Sequence, residues 1–298
     1  MGEVNKVLFI INKFAGTGYQ TELEGKILST AEAYDSEVRI AFTEGPGHAT
    51  ALAKAAKDQG YDRVVAVGGD GTLNEVAQGL AETSLPMGII ARGSGNGLAR
   101  HLSIPLAVPA AVENVFKGQP LAMDTFRLNG KLSLNVSGIG FDGHIANLFG
   151  GRTKRGLAGY ASLILQEYLR FKEFEVEITT GPKLLSRSAF VVAIANSSQY
   201  GNNACIAPDA SVTDGLLHIT MLKKVPAWRF DFVYSFFNRT VHRSAFSEVI
   251  EAPSLTIRTS VPIPFHVDGE PCGHHDRFEI SINPAALQVI VPATTRRR

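Results

Sequence analysis

An apolar run leads into two glycines, an aspartate, a third glycine and a helical pattern in the stretch VVAVGGDGTLNEVAQGL, residues 64–80. Glycines allow a phosphate chain to approach backbone N–H groups closely, and the N-terminus of the following helix adds a favourable partial positive charge. A carboxylate beside phosphates adds repulsion unless a cation lies between them, and Mg²⁺ commonly bridges carboxylate and phosphate oxygens. The pattern therefore predicts a phosphate-binding loop in which Asp70 serves a nucleotide-bound magnesium ion.

Purely local structure offers alternatives at this loop. Thr72 and Glu75 have the spacing of a helix capping box, which is the favoured interpretation of Glu75. Aspartate is also common in tight turns. Glycine-bearing loops elsewhere in the same half of the chain favour the phosphate interpretation of Asp70.

Three further loops of this kind follow predicted strands. They are NKFAGTG at 12–18, TEGPGH at 43–48 and RGSGNG at 92–97. In the last of them, Ser94 and Asn96 can bond phosphate or ribose, although Asn96 also suits a helix cap. The first loop is neither a Walker A loop nor a full dinucleotide fingerprint. A kinase and a dinucleotide-binding oxidoreductase both remain open, and the missing G-x-G-x-x-G counts against the second.

Regularly alternating strands and helices position these loops. Apolar strands are predicted at Val4–Ile11, Glu37–Phe42, Arg63–Val67 and Met87–Ala91, and helices at Tyr19–Ala33, His48–Asp58, Leu73–Ala81, Gly97–His101 and Ala110–Lys117. Strands that are apolar throughout are buried on both faces, as in a parallel sheet flanked by helices. Residues 1–121 are therefore predicted to form a doubly wound α/β nucleotide-binding domain, in which ligands bind beyond the carboxyl ends of the strands.

The pattern changes in residues 122–298, where short strands are joined by turns. This predicts an antiparallel β-sandwich domain with inserted helices, the last residues packing back on the first domain. Two helices are expected, at Ala158–Phe171 and Ala227–Val241, although the aromatic residues of the second also fit the period of two of a strand. Asp142, in GFDG, is a weak candidate for a site residue, and its local alternative is a turn.

Composition narrows the function classes. The formal net charge is +1, which gives no reason to expect nucleic-acid binding. The chain has two cysteines, which fits a reducing compartment. The N-terminal segment MGEVNKVLFIIN lacks the features of a secretion signal, and no apolar run reaches membrane-spanning length. We expect a soluble protein, and contact with a membrane surface stays open.

An ordered set of motifs resembles the diacylglycerol kinase catalytic-domain family, which includes bacterial lipid kinases and sphingosine kinases. The set consists of GGDGT followed by Asn74-Glu75, GSGNGLAR, Met123-Asp124, NVSGIGFDG, IANSSQYGNNACIAPDASVTDGLLHI and HVDGE. GGDGT alone is not specific, because NAD kinases and phosphofructokinases carry similar loops. The ordered set covers nearly the whole chain and is highly specific.

This resemblance implies ATP- and Mg²⁺-dependent phosphorylation of a lipid hydroxyl group, diacylglycerol being the type of acceptor. It places ATP on Asn12, Gly16, Gly18, Thr43, Gly68, Gly69, Gly71, Thr72, Gly93, Ser94, Asn96 and Glu270. It assigns Asp268 as the catalytic base and links Asp124 to the lipid headgroup or the active-site network. It also implies a structural Mg²⁺ ion held by Asp214 and by the backbone carbonyls of Ser211 and Leu216.

One loop departs from the family pattern, which usually reads Asn-Pro-x-Ser-Gly-x-Gly. Lys13 stands in place of the proline and Ala15 in place of the serine. The loop therefore lacks the serine hydroxyl contact, while Lys13 offers a phosphate group a positive charge.

Asp268 also suits this chemistry on physical grounds, because an acceptor for the proton of a lipid hydroxyl helps as the γ-phosphoryl group transfers. Its local alternative is a simple β-turn in VDGEP. The alternative functions are an NAD-kinase-like enzyme acting on a soluble nucleotide and a non-catalytic nucleotide-binding module. The intact VDGE motif argues against the non-catalytic module.

The resemblance implies a cytoplasmic protein that associates peripherally with a membrane, where its expected partner is a lipid substrate. Arg152, Lys154 and Arg155 cluster just before the apolar stretch LAGYASLILQEYLRF. Each basic group near an anionic leaflet contributes about 1 kcal/mol to docking, although a solvated loop is nearly as good an interpretation. Trp228 and its aromatic neighbours either meet lipid or cap the core of the second domain, and the core is the favoured interpretation. These arguments mildly favour a lipid over a soluble acceptor, and a homodimer remains open.

Overall fold

The computed structural model describes residues 6–16, 22–149 and 157–293. It divides into two compact units. The first comprises residues up to Thr125 together with those from Pro284 onward, and the second comprises Phe126–Asn283.

The helices and strands are numbered here in chain order. The first five helices and first four strands are β1 Lys6–Ile11, α1 Glu22–Ala33, β2 Glu37–Phe42, α2 His48–Ala56, β3 Arg63–Gly68, α3 Asp70–Leu80, β4 Met87–Ala91, α4 Gly97–His101 and α5 Val108–Lys117. The remaining elements are β5 Gln119–Leu128, β6 Lys131–Ser133, β7 Val136–Gly140, α6 Phe141–Phe149, α7 Leu157–Arg170, β8 Phe174–Thr180, β9 Lys183–Ala189, β10 Val191–Ala195, β11 Gln199–Gly201, β12 Ala204–Cys205, β13 Leu217–Leu222, α8 Phe230–Phe237, β14 Ser247–Ala252, β15 Ser254–Val267 and β16 Glu270–Val291. Short 3₁₀ helices occupy Lys57–Gln59 and Val241–Arg243.

The first unit is built on a parallel sheet with the strand order β2–β1–β3–β4. Val289 of β16 adds a further parallel pairing, beside Met87 of β4. All six residues of β3 are buried, which is the expected result for a strand covered on both faces. The carboxyl ends of the four strands therefore lie along one edge of this sheet.

Helices cover both faces of this sheet. On one face, α1 and α5 pack against alternate residues of β1 and β3, including Val7, Phe9, Val65 and Val67. Helix α3 packs on β3 and β4 and also against α2. Gly79 of α3 makes this helix pair close, because a Cβ atom there would lie 2.6 Å from Ala53. The predicted doubly wound α/β architecture is confirmed.

The second unit is built mainly from antiparallel strands in the order β14–β13–β10–β7–β15. Strand β15 also pairs with β8 and with β16. Alternating burial along β8 gives one face to the core and one to solvent, as the sequence FEVEITT predicts. The predicted β-rich second half with inserted helices is confirmed.

Two local predictions in this unit are wrong. GFDG begins helix α6 and is not a turn. Gly143 lets this helix lie directly on β15, since a Cβ atom there would be 2.5 Å from the Cα atom of Phe265. Trp228 is largely exposed and is not part of the core, although Phe232 and Phe236 do pack against buried residues. The part of the chain that the structure describes contains no helix long and apolar enough to cross a membrane.

Candidate active site

The first unit collects most of the predicted nucleotide-binding residues at the carboxyl edge of its parallel sheet. Asn12 follows β1 and Thr43 follows β2. Residues 68–72 comprise the end of β3, Gly69 and the first residues of α3, and residues 92–96 join β4 to α4. Gly18 lies outside the described residues. Elements that are distant in sequence thus bring four loops to one edge, the usual ligand-binding position in an open α/β sheet.

Close backbone contacts join three of these loops. Gly16 has a φ of +66°, and a Cβ atom there would overlap the carbonyl oxygen of Arg92. A Cβ atom on Gly93 would lie 2.8 Å from the Cα atom of Gly69. A Cβ atom does not fit at either contact, so glycine is required for the loops to approach each other this closely.

Side chains also link the loops. Asn12 Nδ2 donates to Thr72 Oγ1 at 3.0 Å, and Asn12 Oδ1 accepts from the backbone N–H of Phe14 at 2.9 Å. The backbone N–H of Thr43 donates to Ile11 O at 3.0 Å. The strand ends at Asn12 and Thr43 are thereby fixed relative to Thr72.

The capping-box interpretation of Thr72 and Glu75 is wrong. Helix α3 has Gly69 as its N-cap and begins at Asp70, so Thr72 lies inside the first turn. The Glu75 carboxylate instead accepts from the backbone N–H of Ala49, near the start of α2, at 3.2 Å. Glu75 therefore satisfies an N–H group in the first turn of a neighbouring helix.

Asn96 has a role that sequence patterns do not reveal. It occupies the N-cap position of α4 in the left-handed conformation, but its side chain makes no capping hydrogen bond. Its Oδ1 atom accepts from the backbone N–H of Gly93 at 2.9 Å. Asn96 therefore shapes the loop over Gly69, and the exposed Ser94 lies at the tip of the same loop.

Asp70 lies at the first helical position of α3, half-buried, with the backbone of the Gly93 loop nearby. A hard carboxylate oxygen beside a glycine cradle is a donor of the kind that Mg²⁺ takes when it bridges to phosphate. The residues present therefore fit the predicted ion chemically. Lys13 Nζ lies 3.7 Å from the centre of the Phe42 ring, which places a positive charge near the ends of β1 and β2.

The Gly93→Ala variant tests the close contact between Gly93 and Gly69, which we call the glycine cradle. The added methyl group would meet backbone at Gly69 and the Asn96 side chain, so we expect the two loops to separate and ATP affinity to fall at least tenfold. Isothermal titration calorimetry measures this change. Gly45→Ala is the matched control, because a Cβ atom at Gly45, in the Thr43 loop, meets nothing within 4 Å. Equal ATP affinity in the two variants would refute the requirement of the glycine cradle for ATP binding.

The second unit places Asp268 at the tip of the β15–β16 hairpin. Val267 pairs with Glu270, so Asp268 and Gly269 form a two-residue loop in which φ is +47° and +88° respectively. Positive φ at both positions is the signature of a type I′ turn, for which Asp-Gly is a preferred sequence. The turn predicted from VDGEP is therefore present, and it orients the Asp268 side chain.

Three donors hold the Asp268 carboxylate. Its Oδ1 atom accepts from Ser133 Oγ at 2.6 Å and from Asn135 N at 3.0 Å, and its Oδ2 atom accepts from Leu134 N at 2.8 Å. The hydroxyl of Ser137 donates to Ser133 Oγ at 2.9 Å. The carboxylate thus connects the hairpin to the segment between β6 and β7.

A buried polar network supports the hairpin from behind. Gly269 N donates to His266 Nδ1 at 3.0 Å, so the imidazole proton lies on Nε2, which faces Asp142 Oδ2 at 3.4 Å. Tyr200 donates its hydroxyl to the same carboxylate oxygen at 3.2 Å. Burial, reinforced by the negative charge of Asp142, raises the pKa of Tyr200 well above its ordinary value and keeps the phenol protonated. Gly138 leaves room for this carboxylate.

Sequence reasoning did not identify the residues that hold Asp268 in place. Ser133, Leu134 and His266 were not among the predicted site residues, and Asp142 was only a weak candidate with a turn as its local alternative. The available signal was the quoted motif NVSGIGFDG, which contains Asn135 and Asp142 but does not say what they contact.

The other predicted residues have defined surroundings. Asp124 is buried in β5 of the first unit, where its Oδ1 atom accepts from Ala285 N at 2.7 Å. Glu270 is exposed at the first position of β16. The substrate role of Asp124 and the nucleotide role of Glu270 stay predictions.

The predicted structural cation site lies in the loop before β13. The exposed Asp214 precedes Gly215, whose φ is +74°, and its Oδ1 atom accepts from Leu216 N at 3.0 Å. One carboxylate and two backbone carbonyls are oxygen donors of the type that Mg²⁺ prefers. Within residues 6–16, 22–149 and 157–293, no three His, Cys, Asp or Glu side chains cluster as metal ligands. Mg²⁺ at Asp214 stays a prediction.

Two family models match this chain and together span most of it. The model of the diacylglycerol kinase catalytic domain matches residues 6–128. The model of the YegS C-terminal NAD kinase beta sandwich-like domain matches residues 136–291.

Curated relatives match at similar length. A protein of Pectobacterium atrosepticum named "Probable lipid kinase YegS-like" is 30% identical over 294 residues, covering 96% of this chain and 95% of the relative. A protein of Chromohalobacter salexigens with the same name is 28% identical over 262 residues, covering 86% of this chain and 83% of the relative. A crystal structure described as a diacylglycerol kinase from Bacillus anthracis is similar in fold, with a TM-score of 0.76, 22% identity and coverage of 99% of this chain and 100% of that chain.

Proposed function

The chain belongs to the YegS-like lipid kinase family, which carries a diacylglycerol kinase catalytic domain, and from this premise we propose that it transfers the γ-phosphoryl group of ATP to the hydroxyl group of a diacylglycerol-like lipid. The family predicted from the ordered motifs is confirmed. Membership makes the protein a phosphotransferase and implies the use of ATP.

One observation carries the proposal for the nucleotide site. Four loops lie at the carboxyl edge of one parallel sheet, and the contacts of Gly16 and Gly93 leave space only for backbone. Backbone N–H groups without side chains between them, next to the N-terminus of α3, suit a phosphate chain. The proposal assigns ATP phosphates to residues 68–72 and 93–96 of this edge.

Asp70 is assigned to magnesium. When bound, Mg²⁺ would supply positive charge that neutralises phosphate oxygens during transfer. Asp70 would orient that ion, and the helix N-terminus on which it lies would hold the phosphates in place. Thr72 would position the first loop through its hydrogen bond with Asn12.

Asp268 is assigned as the general base. In the proposed step, the lipid O–H bond breaks and its proton passes to the Asp268 carboxylate. A bond forms from the lipid oxygen to the γ-phosphorus, while the bond from the γ-phosphorus to the bridging oxygen of ADP breaks. The three donors from residues 133–135 orient the carboxylate, and a carboxylate oxygen retains lone-pair capacity for a further proton donor.

A soluble nucleotide is the second candidate acceptor. The description of the matching C-terminal family refers to an NAD kinase beta sandwich, which favours NAD within this class. Both candidates use the same nucleotide loops, so they differ only in the acceptor hydroxyl group.

A single assay distinguishes these acceptors. The full chain is incubated with γ-labelled ATP and Mg²⁺, and label is followed into detergent-dispersed diacylglycerol, phosphatidylglycerol, a sphingoid base and NAD. We expect label in a lipid product, with diacylglycerol the strongest acceptor. Transfer to NAD alone would overturn the lipid assignment, and the absence of transfer to every acceptor would overturn the proposed activity.

A further inference from the structure

Helix α8 and Trp228, which lies two residues before its start, expose large apolar side chains to solvent. Trp228, Val233, Tyr234 and Phe237 have exposed fractions of 71%, 59%, 63% and 51%. We call these four residues the α8 face. Exposed apolar groups are normal singly, but a contiguous set usually marks an interaction surface.

The α8 face is distinct from the side of the helix that attaches to the unit. Phe232 and Phe236 point inward, with their ring centres 5.5 Å apart in an edge-to-face arrangement, and pack against buried residues. Val233 and Phe237 are spaced four residues apart on another side of the helix, and Tyr234 adjoins them. Since the inward pair already attaches α8, packing within the unit does not explain the outward side chains.

The surrounding segment is strongly basic. Residues 223–243 contain five basic residues and one acidic residue, whereas the whole chain has a net charge of only +1. The acidic residue, Asp231, binds Arg229 through two hydrogen bonds of 2.7 Å. The remaining positive charges belong to Lys223, Lys224, Arg239 and Arg243.

Neighbouring elements add three carboxylates to this segment. Glu173 accepts from the backbone N–H of Lys224, and Asp209 lies 3.9 Å from His242 Nε2. Glu248 interacts electrostatically with Lys223, but both of its oxygens accept hydrogen bonds from Arg187. All three belong to other segments, and the four basic residues still outnumber them. The α8 face is therefore apolar side chains within a predominantly positive surface.

Apolar exposure continues from this segment onto α7. The Tyr168 hydroxyl contacts the backbone of Val225, and both line a cavity of about 480 Å³ together with Leu169 and Ala227. Leu165 and Leu169 of α7 are exposed. The surface is thus wider than one turn of helix.

From these observations we propose that the α8 face docks the protein on an anionic phospholipid bilayer. Tryptophan and tyrosine favour the headgroup region, where their rings are half in hydrocarbon and their polar groups are wet. Basic residues around them attract anionic headgroups. The inference rests on the proposed function, because a lipid kinase must reach a hydroxyl group at a bilayer surface.

The chain provides its own probe for the test. Trp228 is the only tryptophan of the 298 residues, so fluorescence excited selectively in tryptophan reports on the α8 face alone. Adding phosphatidylglycerol vesicles to the full chain should shift the emission to shorter wavelength, and brominated lipid should quench it. Phosphatidylcholine vesicles and high salt should weaken the shift, since the attraction is partly electrostatic.

Substitutions that retain Trp228 identify the surface. Tyr234→Ser with Phe237→Ser should lower the partition into phosphatidylglycerol vesicles, measured by sedimentation, at least tenfold. Leu184→Ser removes an exposed apolar side chain of β9 and should leave the partition unchanged. Circular dichroism confirms that both variants are folded.

Three outcomes would overturn the docking proposal. The first is vesicle binding without any change in Trp228 emission. The second is equal partition of the double variant and Leu184→Ser. The third is a blue shift that appears without vesicles as protein concentration rises, with a doubled mass in sedimentation, since this would assign the α8 face to a second copy of the chain.

Vesicle binding is measured without ATP, so it is independent of the proposed function. If the double variant retains transfer to detergent-dispersed lipid but loses vesicle binding, both proposals stand. If the wild type transfers phosphate in detergent but fails to bind vesicles, only the docking proposal fails. If the wild type binds vesicles but phosphorylates no lipid, the proposed function fails, and with it the reason given for docking.

Discussion

Replacement of Asp70 by asparagine should lower kcat at least about a hundredfold, the scale seen when one electrostatic stabiliser of a transition state is lost. Asparagine preserves the shape of the side chain but removes the negative charge of the carboxylate, to which we assign the binding of Mg²⁺. It also suits a helix N-terminus, so the fold should survive. Steady-state turnover with ATP at saturating Mg²⁺, and a thermal unfolding curve, measure the two effects.

The competing explanation for Asp70 is stabilisation of α3, since a carboxylate in a first turn interacts favourably with the helix dipole. That effect is worth about 0.3–1 kcal/mol and cannot account for a hundredfold loss of turnover in a folded protein. Asp58→Asn is the matched control, because it removes one negative charge from an exposed position in the same unit. Near-normal turnover of Asp70→Asn would refute the magnesium assignment.

The sheet of the first unit could be predicted because its signals are local. β2 and β4 have the predicted bounds, Glu37–Phe42 and Met87–Ala91, since apolar strands between helical patterns are easy to delimit. The capping box predicted the wrong start for α3. That motif is defined by residues of one helix alone, whereas Thr72 and Glu75 bond to residues of other elements. Asn12 and α2 supply the partners of Thr72 and Glu75 from elsewhere in the chain.

The contacts between the loops of the nucleotide site could not be predicted from the sequence either. The glycine pattern predicted a phosphate site, but it did not indicate that Gly16 approaches Arg92 or that Gly69 approaches Gly93. These pairs are separated by 76 and 24 positions, and they meet only because β1, β3 and β4 end at one edge of the sheet. Tertiary structure supplies this information.

Errors in the second unit have similar causes. Helix α6 was missed because GFDG resembles a turn, yet Asp142 reaches back to Tyr200 and His266. The aromatic residues around Trp228 fit both a period of two and a helical period, and only the helical one separates Phe232 from the exposed side chains. Period alone does not say which side of a short helix faces the core.

Asp268 combines a local feature with a distant one. The type I′ turn is local and predictable from Asp-Gly. Its contacts with Ser133 and Asn135 span more than 130 positions, so no sequence pattern indicated them. Because the Asp268 carboxylate also accepts these hydrogen bonds, the Asp268→Asn substitution changes them as well as testing whether the residue is only part of a turn.

In the Asp268→Asn variant, an NH₂ group replaces one carboxylate oxygen and faces an N–H donor, of either Leu134 or Asn135. At least one hydrogen bond is lost, which costs about 1–3 kcal/mol of folding stability. If Asp268 is also the base, kcat should fall at least about a hundredfold with little change in ATP affinity, because proton transfer matters only in the transition state. Turnover with dispersed lipid and calorimetry with ATP measure these quantities.

Ser133→Ala separates the two roles of Asp268. It removes the 2.6 Å hydrogen bond to Asp268 Oδ1 but retains the carboxylate and both backbone donors. The two backbone donors still orient the carboxylate, so we expect less than about a tenfold loss of kcat. If Ser133→Ala and Asp268→Asn lose turnover equally, the carboxylate serves to hold residues 133–135 and is not the base. If Asp268→Asn keeps its turnover, the base assignment is wrong regardless of the Ser133 result, because no carboxylate remains at this position to accept the proton.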